Sequence, residues 1–170
     1  PEYSTRLNAL GNLYSQLGEY QKALTFYLEA LENTNNTLGI AHPDYGTCLN
    51  NLALLYTNAG AYEKALPLSL KALENTEKSL GKTHPEYGTR LSNLANLYVR
   101  MGDYKKALPL AVAALENTEN ALGKAHSDYS IRLNNLAFLH ESMGEYKKAM
   151  PLYLLSLENT ENTLGKEHPN

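Results

Sequence analysis

Apolar residues recur along the chain with the period of an α-helix. Across residues 45–59, steps of 100° per residue from Leu49 place apolar side chains on one arc and polar ones opposite. The apolar arc comprises Leu49, Leu52, Ala53, Leu55 and Tyr56. Residues 62–80 are apolar over a wider arc, which is typical of a helix that packs against two neighbours. Because Gly60 and Gly81 follow the two stretches, the pattern predicts two helices, each ending at a glycine.

This pattern occurs four times, because the sequence repeats with a period of 42 residues. Of the 42 columns, 15 are identical in all copies, including those of Tyr3, Gly18 and His42. The copies are residues 1–42, 43–84, 85–126 and 127–168, and residues 169–170 begin a truncated fifth. First helices are predicted near residues 3–17, 45–59, 87–101 and 129–143. Such repetition indicates an array in which each copy packs on its neighbours.

Residues 49–74 carry the order Leu-x-x-Leu-Ala-x-Leu-Tyr-x-x-x-Gly-x-Tyr-x-Lys-Ala-Leu-Pro-Leu, followed by Ala-Leu-Glu. With small residues at Ala53, Gly60, Ala65 and Ala72, this order resembles the tetratricopeptide repeat, whose usual unit has about 34 residues. The longer copy here is similar to the repeats of kinesin light chains. The resemblance implies an all-α fold: one array over residues 1–170, a right-handed α-α superhelix (solenoid) of four helix-turn-helix units and eight helices.

The resemblance also implies that first helices line the concave face of the superhelix, so side chains opposite the apolar arc would point into a groove. Many are asparagines, whose amides offer both a donor and an acceptor to an extended backbone. In kinesin light chains the equivalent groove binds cargo peptides, and asparagines of an Asn-Asn-Leu-Ala segment contribute; residues 50–53 and 134–137 match it. We expect a protein-interaction scaffold that binds a protein or peptide. The candidate binding residues are Asn8, Asn12, Asn50, Asn51, Leu54, Asn58, Asn93, Asn96, Arg100, Asn134, Asn135 and Phe138.

Other interpretations of this face remain open or are disfavoured. The asparagines could form a solvated surface that duplication has copied. Capture of an acidic C-terminal tail, which some tetratricopeptide domains achieve with groove lysines and arginines, is disfavoured because Arg100 is the only basic candidate. Nucleic-acid binding is disfavoured because the net charge is −3 and the sequence has no block of basic residues.

The sequence offers no sign of catalysis, a cofactor or a membrane span. It has no nucleophile, phosphate-loop or Cys-x-x-Cys motif, and no apolar run approaches the roughly 20 residues of a membrane helix. The histidines that recur once per copy stand 42 residues apart, so we expect packing or helix capping rather than metal binding. With one cysteine, Cys48, and no signal peptide, we expect a cytoplasmic protein without enzymatic activity.

One column lies at the border of the apolar arc and carries arginine in three copies and cysteine in the second. Its members are Arg6, Cys48, Arg90 and Arg132. We expect the arginine stems to lie along apolar surface while their guanidinium groups pair with a second-helix carboxylate such as Glu32 or Glu116. Cys48 is expected to be a packed small residue rather than a nucleophile.

The final second helix carries apolar residues at Leu154, Leu157 and Leu164. Solenoids usually end in a capping helix with a polar outer face. Here the sequence stops at residues 169–170, where another copy would begin. Two interpretations follow: the chain is a segment of a longer array, such as a regulatory array of a larger signalling protein, or copies stack end to end through uncapped terminal helices.

Overall fold

The computed structural model describes residues 2–164, with side chains as far as Thr163. Every element in that range is an α-helix, and the helices form two compact units, one within Pro1–Gly81 and one within Lys82–Asn170. The N-terminal unit contains α1 (Glu2–Gln16), α2 (Tyr20–Leu38), α3 (Pro43–Asn58) and α4 (Tyr62–Leu80). The C-terminal unit contains α5 (Pro85–Arg100), α6 (Tyr104–Leu122), α7 (Ser127–Ser142) and α8 (Tyr146–Leu164). The predicted all-α fold with two helices per copy is confirmed.

Within each unit, consecutive helices pack against each other. In the N-terminal unit α1 packs on α2, α2 also contacts α3, and α3 packs on α4. The C-terminal unit repeats this order with α5, α6, α7 and α8. Helices α2 and α6 therefore bury surface against two neighbours, which explains why second helices are apolar over a wide arc.

The turn inside each copy depends on a glycine with a left-handed backbone. Gly60 has a φ of 73°. This conformation lets the Gly60 amide donate to the Thr57 carbonyl at 3.1 Å and the Ala61 amide donate to the Tyr56 carbonyl at 2.8 Å. Residues with a side chain rarely adopt such a backbone, so glycine is required where the chain reverses.

The histidines that recur once per copy cap the first helices. In His42, His84 and His126, Nδ1 accepts a hydrogen bond from the backbone amide two residues later, at 3.2, 3.2 and 3.1 Å. This confirms the capping role expected from the sequence. The predicted fifth copy at Pro169–Asn170 and the connection at His168 lie outside the described residues, as does the side chain of Leu164.

A second-helix asparagine, present in every copy, fastens the connection that precedes the first helix. Asn75 Nδ2 donates to the Ile40 carbonyl at 2.7 Å, and Asn117 Nδ2 donates to the Lys82 carbonyl at 2.6 Å. Asn159 makes the equivalent bond to Lys124. We call these contacts the asparagine clamps. The sequence shows that the column is invariant, but it does not show that its partner is a carbonyl 35 residues earlier.

The cores of the two units differ in the size of their side chains. In the N-terminal unit, the ring of Tyr27 packs with Ala23, Leu52 and Leu55 and lies directly over Gly11. The core cluster of the C-terminal unit is built from three alanines and two leucines: Ala95, Ala107, Ala111, Leu136 and Leu139. The column of Tyr27 therefore buries a ring in the N-terminal unit and an alanine, Ala111, in the C-terminal unit.

Candidate functional site

Part of the asparagine-rich face is hydrogen-bonded to itself. In the N-terminal unit, Asn51 Nδ2 donates to Asn8 Oδ1 at 3.1 Å. In the C-terminal unit, the same two columns join Asn135 Nδ2 to Ser92 Oγ, also at 3.1 Å. Asn8 additionally donates from Nδ2 to Sγ of Cys48 at 3.4 Å. These amides join successive first helices, so they have a structural role whether or not they also bind a partner.

The candidate residues differ in how open they are to solvent. Asn50 is only 6% exposed, because it lies just 100° around the helix from Leu49 and so beside the apolar arc. Leu54 and Asn93 are half-buried, as are Asn8 and Asn51. The exposed candidates are Asn12, Asn58, Asn96, Arg100, Asn134, Asn135 and Phe138. The open part of the predicted site is therefore concentrated in the C-terminal unit.

Two arginines of the border column pair with carboxylates on their own helix. Arg6 lies 3.5 Å from the carboxylate of Glu2, and Arg90 lies 2.8 Å from that of Glu86. Residues four apart share a helix face, which brings each pair together. The partners expected from the sequence were on second helices: Glu32 and Glu116. The structure corrects that expectation, because the carboxylate that each of these guanidinium groups contacts lies one turn earlier on the same helix.

Arg132 is buried and binds hydroxyl groups instead. Its Nη2 donates to Thr89 Oγ1 at 2.9 Å, and its Nε donates to Thr118 Oγ1 at 3.4 Å. Burial lowers the pKa of the Arg132 guanidinium, while the carboxylates of Asp128 and Glu86 oppose that effect. An arginine remains charged in such a setting, so Arg132 places a positive charge beneath the face that α5 and α7 share.

A cavity of about 200 Å³ opens between α5 and α7, and we call it the α5/α7 cleft. Four of the predicted binding residues line it: Asn96, Arg100, Asn135 and Phe138. Its apolar walls come from Ala95, Val99, Ala111 and Leu139, and Ser92 and Arg132 complete the lining. The cleft thus combines an apolar interior with amide groups and two guanidinium groups, and its lining includes no carboxylate.

A depression between α1 and α3 of the N-terminal unit, which we call the α1/α3 cleft, is more polar and shares only three columns with the α5/α7 cleft, those of Asn8, Asn12 and Asn51. It measures about 450 Å³, and hydroxyl and amide side chains dominate its lining. The lining residues are Ser4, Thr5, Asn8, Ala9, Asn12, Thr34, Asp44, Thr47 and Asn51. This surface offers many hydrogen-bonding groups but little apolar area for a side chain.

One column explains why the first copy is closed where the third copy forms the α5/α7 cleft. In the first copy Tyr27 occupies it, and the ring lies over Gly11 while the hydroxyl donates to Asn12 Oδ1 at 2.6 Å. In the third copy the three equivalent residues are Ala111, Ala95 and Asn96, and all of them line the open cleft. The α5/α7 cleft is therefore the space that a tyrosine ring fills in the first copy. This column was missed at the sequence level; its signal is a position that holds tyrosine in the first and fourth copies and serine or alanine in the second and third.

A third cavity, of about 340 Å³, lies between α7 and α8 and includes the candidate Asn134. Tyr153 lines it, and its hydroxyl donates to Glu141 Oε2 at 2.6 Å. This bond to a carboxylate raises the pKa of Tyr153 to about 12. Asn134 thus lies apart from the four candidates that the α5/α7 cleft brings together.

The described part of the chain offers no metal site and no membrane span. Across residues 2–164, His, Cys, Asp and Glu side chains form no group of three that could hold a metal ion. None of the eight helices combines the length and apolar character that crossing a bilayer requires.

A chain of paired helices with 42-residue repetition defines a helical-repeat protein. Two family models of the tetratricopeptide repeat match the chain, one over residues 3–78 and 49–120 and the other over residues 132–170. The chain therefore belongs to the tetratricopeptide repeat family. A search of curated protein sequences finds no match to it.

Several solved structures share the fold at low sequence identity. BtubC (BKLC) from P. vanneervenii matches with a TM-score of 0.81 and 24% identity, over 98% of this chain and 66% of that one. Nearly identical TPR-like repeats described as a kinesin light chain of Podosopora anserina match with a TM-score of 0.80 and 23% identity, over 99% and 82% of the two chains. The chain thus shares its fold with kinesin-light-chain-like repeat arrays, as the sequence predicted.

A Rap protein complexed with Competence and Sporulation Factor also has this fold. Its TM-score is 0.84 at 18% identity, over 95% of this chain and 44% of the Rap chain. This chain therefore spans less than half of the Rap protein and about two thirds of BtubC. At such identities the likeness concerns the fold alone.

Proposed function

We propose that the chain is a protein-interaction scaffold whose first-helix faces bind an extended segment of a partner protein. In this proposal the α5/α7 cleft accepts an apolar or aromatic side chain of that segment. The observation that carries the proposal is that the cleft corresponds to the place of the Tyr27 ring in the first copy. Its volume of about 200 Å³ is comparable with apolar cavities of about 150 Å³ that bind benzene.

The rim of the cleft can hold the backbone of the bound segment. Asn96 is exposed and makes no hydrogen bond to any described residue, so its amide can donate and accept at once. Asn135 donates to Ser92 and keeps its Oδ1 for a backbone amide of the ligand. Arg100 adds an exposed positive charge that suits a carboxylate next to the bound side chain. With few polar anchors, we expect micromolar or weaker binding, about −8 kcal/mol or less in magnitude.

The family and its structural relatives support this class of function. Tetratricopeptide repeats are typically non-enzymatic scaffolds for protein binding, and the Rap relative was solved with a bound factor. The proposal that asparagines contribute rests on this chain's own residues. It is restricted to the exposed amides, because Asn8 and Asn51 already bind each other.

A tyrosine placed back into the cleft tests the proposal. The variant Ala95→Gly/Ala111→Tyr reproduces the Gly11–Tyr27 pair of the first copy and should fill the cleft with a ring. A peptide library is screened against the unmodified chain, and the affinity of each bound peptide is then measured by calorimetry. We expect the double variant to weaken those peptides at least about tenfold, or about 1.4 kcal/mol.

The matched control is Ala95→Gly/Val112→Tyr, which adds the same ring at the neighbouring, exposed position of α6. This control should bind peptides as the unmodified chain does. Asn96→Ala should weaken binding by about fivefold, since one hydrogen bond contributes about 1 kcal/mol. If the peptides bind equally well after the cleft is filled, the cleft is not their site and the proposal fails.

A further inference from the structure

The border column holds a cysteine in the second copy and a buried arginine in the fourth. In the C-terminal unit, the guanidinium group of Arg132 lies at the junction of α5, α6 and α7, where it donates to the hydroxyl groups of Thr89 and Thr118. The equivalent junction of the N-terminal unit is that of α1, α2 and α3, and there Cys48 stands in the column of Arg132. Because the cysteine side chain is short, it does not extend to the place that the guanidinium group fills.

The hydroxyl groups that bind the guanidinium group are retained at this junction. Thr5 and Thr34 are the equivalents of Thr89 and Thr118, and both of them line the α1/α3 cleft of about 450 Å³. Thr34 Oγ1 lies 3.5 Å from Sγ of Cys48. Thr5 is exposed, whereas Thr89 is half-buried. The α1/α3 cleft therefore opens onto the same pair of hydroxyl groups that Arg132 contacts in the C-terminal unit.

The charge of the α1/α3 cleft also suits a cation. Asp44 is the equivalent of Asp128, whose carboxylate favours the charged form of Arg132. Asp44 is exposed and lines the cleft, and the lining includes no lysine, arginine or histidine. His42 Nδ1 lies 3.7 Å from Asp44 Oδ2, but it accepts a hydrogen bond from the Asp44 amide and so offers that carboxylate no proton. The cleft thus has a carboxylate beside its hydroxyl and amide groups.

We infer that the α1/α3 cleft binds the guanidinium group of an arginine side chain from a partner protein, in the place that Arg132 fills in the C-terminal unit. A planar guanidinium group has five donors and no acceptor, so it matches a lining of hydroxyl and carboxylate oxygens. The inference rests on the proposed function in one respect, namely that first-helix faces bind a partner. It concerns the other unit of the chain, however, and a different chemistry of ligand.

Titration of the 170-residue chain with acetyl-arginine amide, followed by NMR, tests this inference. We expect saturable shifts of the amide signals of Thr5, Asn8 and Asn51, with a dissociation constant on the order of 1 mM. Acetyl-citrulline amide has a similar shape without the charge, and at equal ionic strength it should bind at least about tenfold more weakly. Acetyl-lysine amide should bind about threefold more weakly, because an ammonium group lacks the planar set of donors. Equal binding of the lysine and arginine probes would overturn the assignment to a guanidinium group.

The variant Cys48→Arg makes the test specific, because it fills the site from within. It gives the second copy the arginine that the other three copies carry, so folding should persist, and it should weaken binding of acetyl-arginine amide at least about tenfold. Cys48→Ala is the matched control, which removes the thiol but leaves the cleft open, and it should bind like the unmodified chain. Asp44→Asn changes an exposed carboxylate and should weaken binding about threefold. Absence of saturable shifts, or unchanged binding to Cys48→Arg and Asp44→Asn, overturns the inference.

The two proposals can fail separately, because their sites lie in different units. Filling the α5/α7 cleft by Ala95→Gly/Ala111→Tyr should leave the titration with acetyl-arginine amide unchanged. A loss of arginine binding in that variant would place the probe in the α5/α7 cleft and contradict the inference.

Discussion

The α1/α3 cleft and the α5/α7 cleft lie between equivalent pairs of first helices and share three columns, yet only the second has an open apolar interior. In the first copy Tyr27 lies over Gly11 and closes the space between the helices. In the third copy Ala111 and Ala95 leave that space empty. Because the helix boundaries are equivalent in both units, the difference comes from side-chain size. A repeat array can therefore vary its binding surface by changing one buried column while its backbone stays the same.

The largest effect is expected when the Tyr27 ring, which fills the space equivalent to the α5/α7 cleft, is removed. Tyr27→Ala deletes a buried ring and its hydrogen bond to Asn12, so it should destabilise the N-terminal unit by about 3 kcal/mol. Hydrogen exchange of α1 and α3 amides measures the loss. Tyr153→Ala, in the same column of α8 but half-buried, is the matched control and should cost about 1 kcal/mol. Equal losses at both sites would contradict the view that the Tyr27 ring fills the space between α1 and α3.

A smaller effect on stability is expected when Gly11, which lies beneath the Tyr27 ring, is changed. A Cβ on Gly11 would lie 2.5 Å from Cε1 of Tyr27, so Gly11→Ala alone should destabilise by about 1–2 kcal/mol despite the better helix propensity of alanine. In a Tyr27→Ala background the same change recreates the alanine pair of the third copy. There it should stabilise by about 0.5–1 kcal/mol. A double-mutant cycle by urea unfolding measures this change of sign, and additive effects would contradict the steric explanation.

The smallest effect on stability is expected when the pH is lowered. In the C-terminal unit, hydrogen bonds from Lys148 and His140 lower the pKa of Glu145, and one from Lys106 lowers the pKa of Asp103. A carboxyl with a lowered folded-state pKa stabilises above its ordinary pKa, and this contribution is lost as the pH falls through the folded value. The C-terminal unit should therefore lose stability below about pH 4.5.

The N-terminal unit offers the comparison for that measurement. Among its described residues, Glu74 is the carboxylate whose pKa is lowered, by a hydrogen bond from Lys78. Hydrogen exchange at pH 6 and pH 3.5 should show a slightly larger loss in the C-terminal unit. Replacing Lys106 and Lys148 by methionine should remove the difference. A difference that survives these replacements would assign the acid sensitivity to other groups.

Much of the fold followed from periodicity, whereas the site depended on packing between helices. The bounds of α4, the glycine turns and the histidine caps all rest on local signals within a few residues. Asn96 and Phe138 are exposed, as their angle on the helix predicted, while their role in binding a partner stays a prediction. The sequence could not show that Asn51 binds Asn8, since that bond joins helices 43 residues apart. The sequence likewise did not show that the Tyr27 ring fills a space which stays open in the third copy as the α5/α7 cleft.

The asparagine clamps bear on how such an array evolves. Each clamp joins a second helix to a carbonyl 35 residues earlier, so Ile40–Asn75 and Lys82–Asn117 are closed within separate 42-residue frames that begin at residues 40 and 82. Because the acceptor is a backbone carbonyl and the asparagine stands in every copy, insertion or deletion of any 42-residue segment still leaves an asparagine 35 residues after each of these carbonyls. The number of copies can therefore change at any point within the repeat without leaving a connection unfastened.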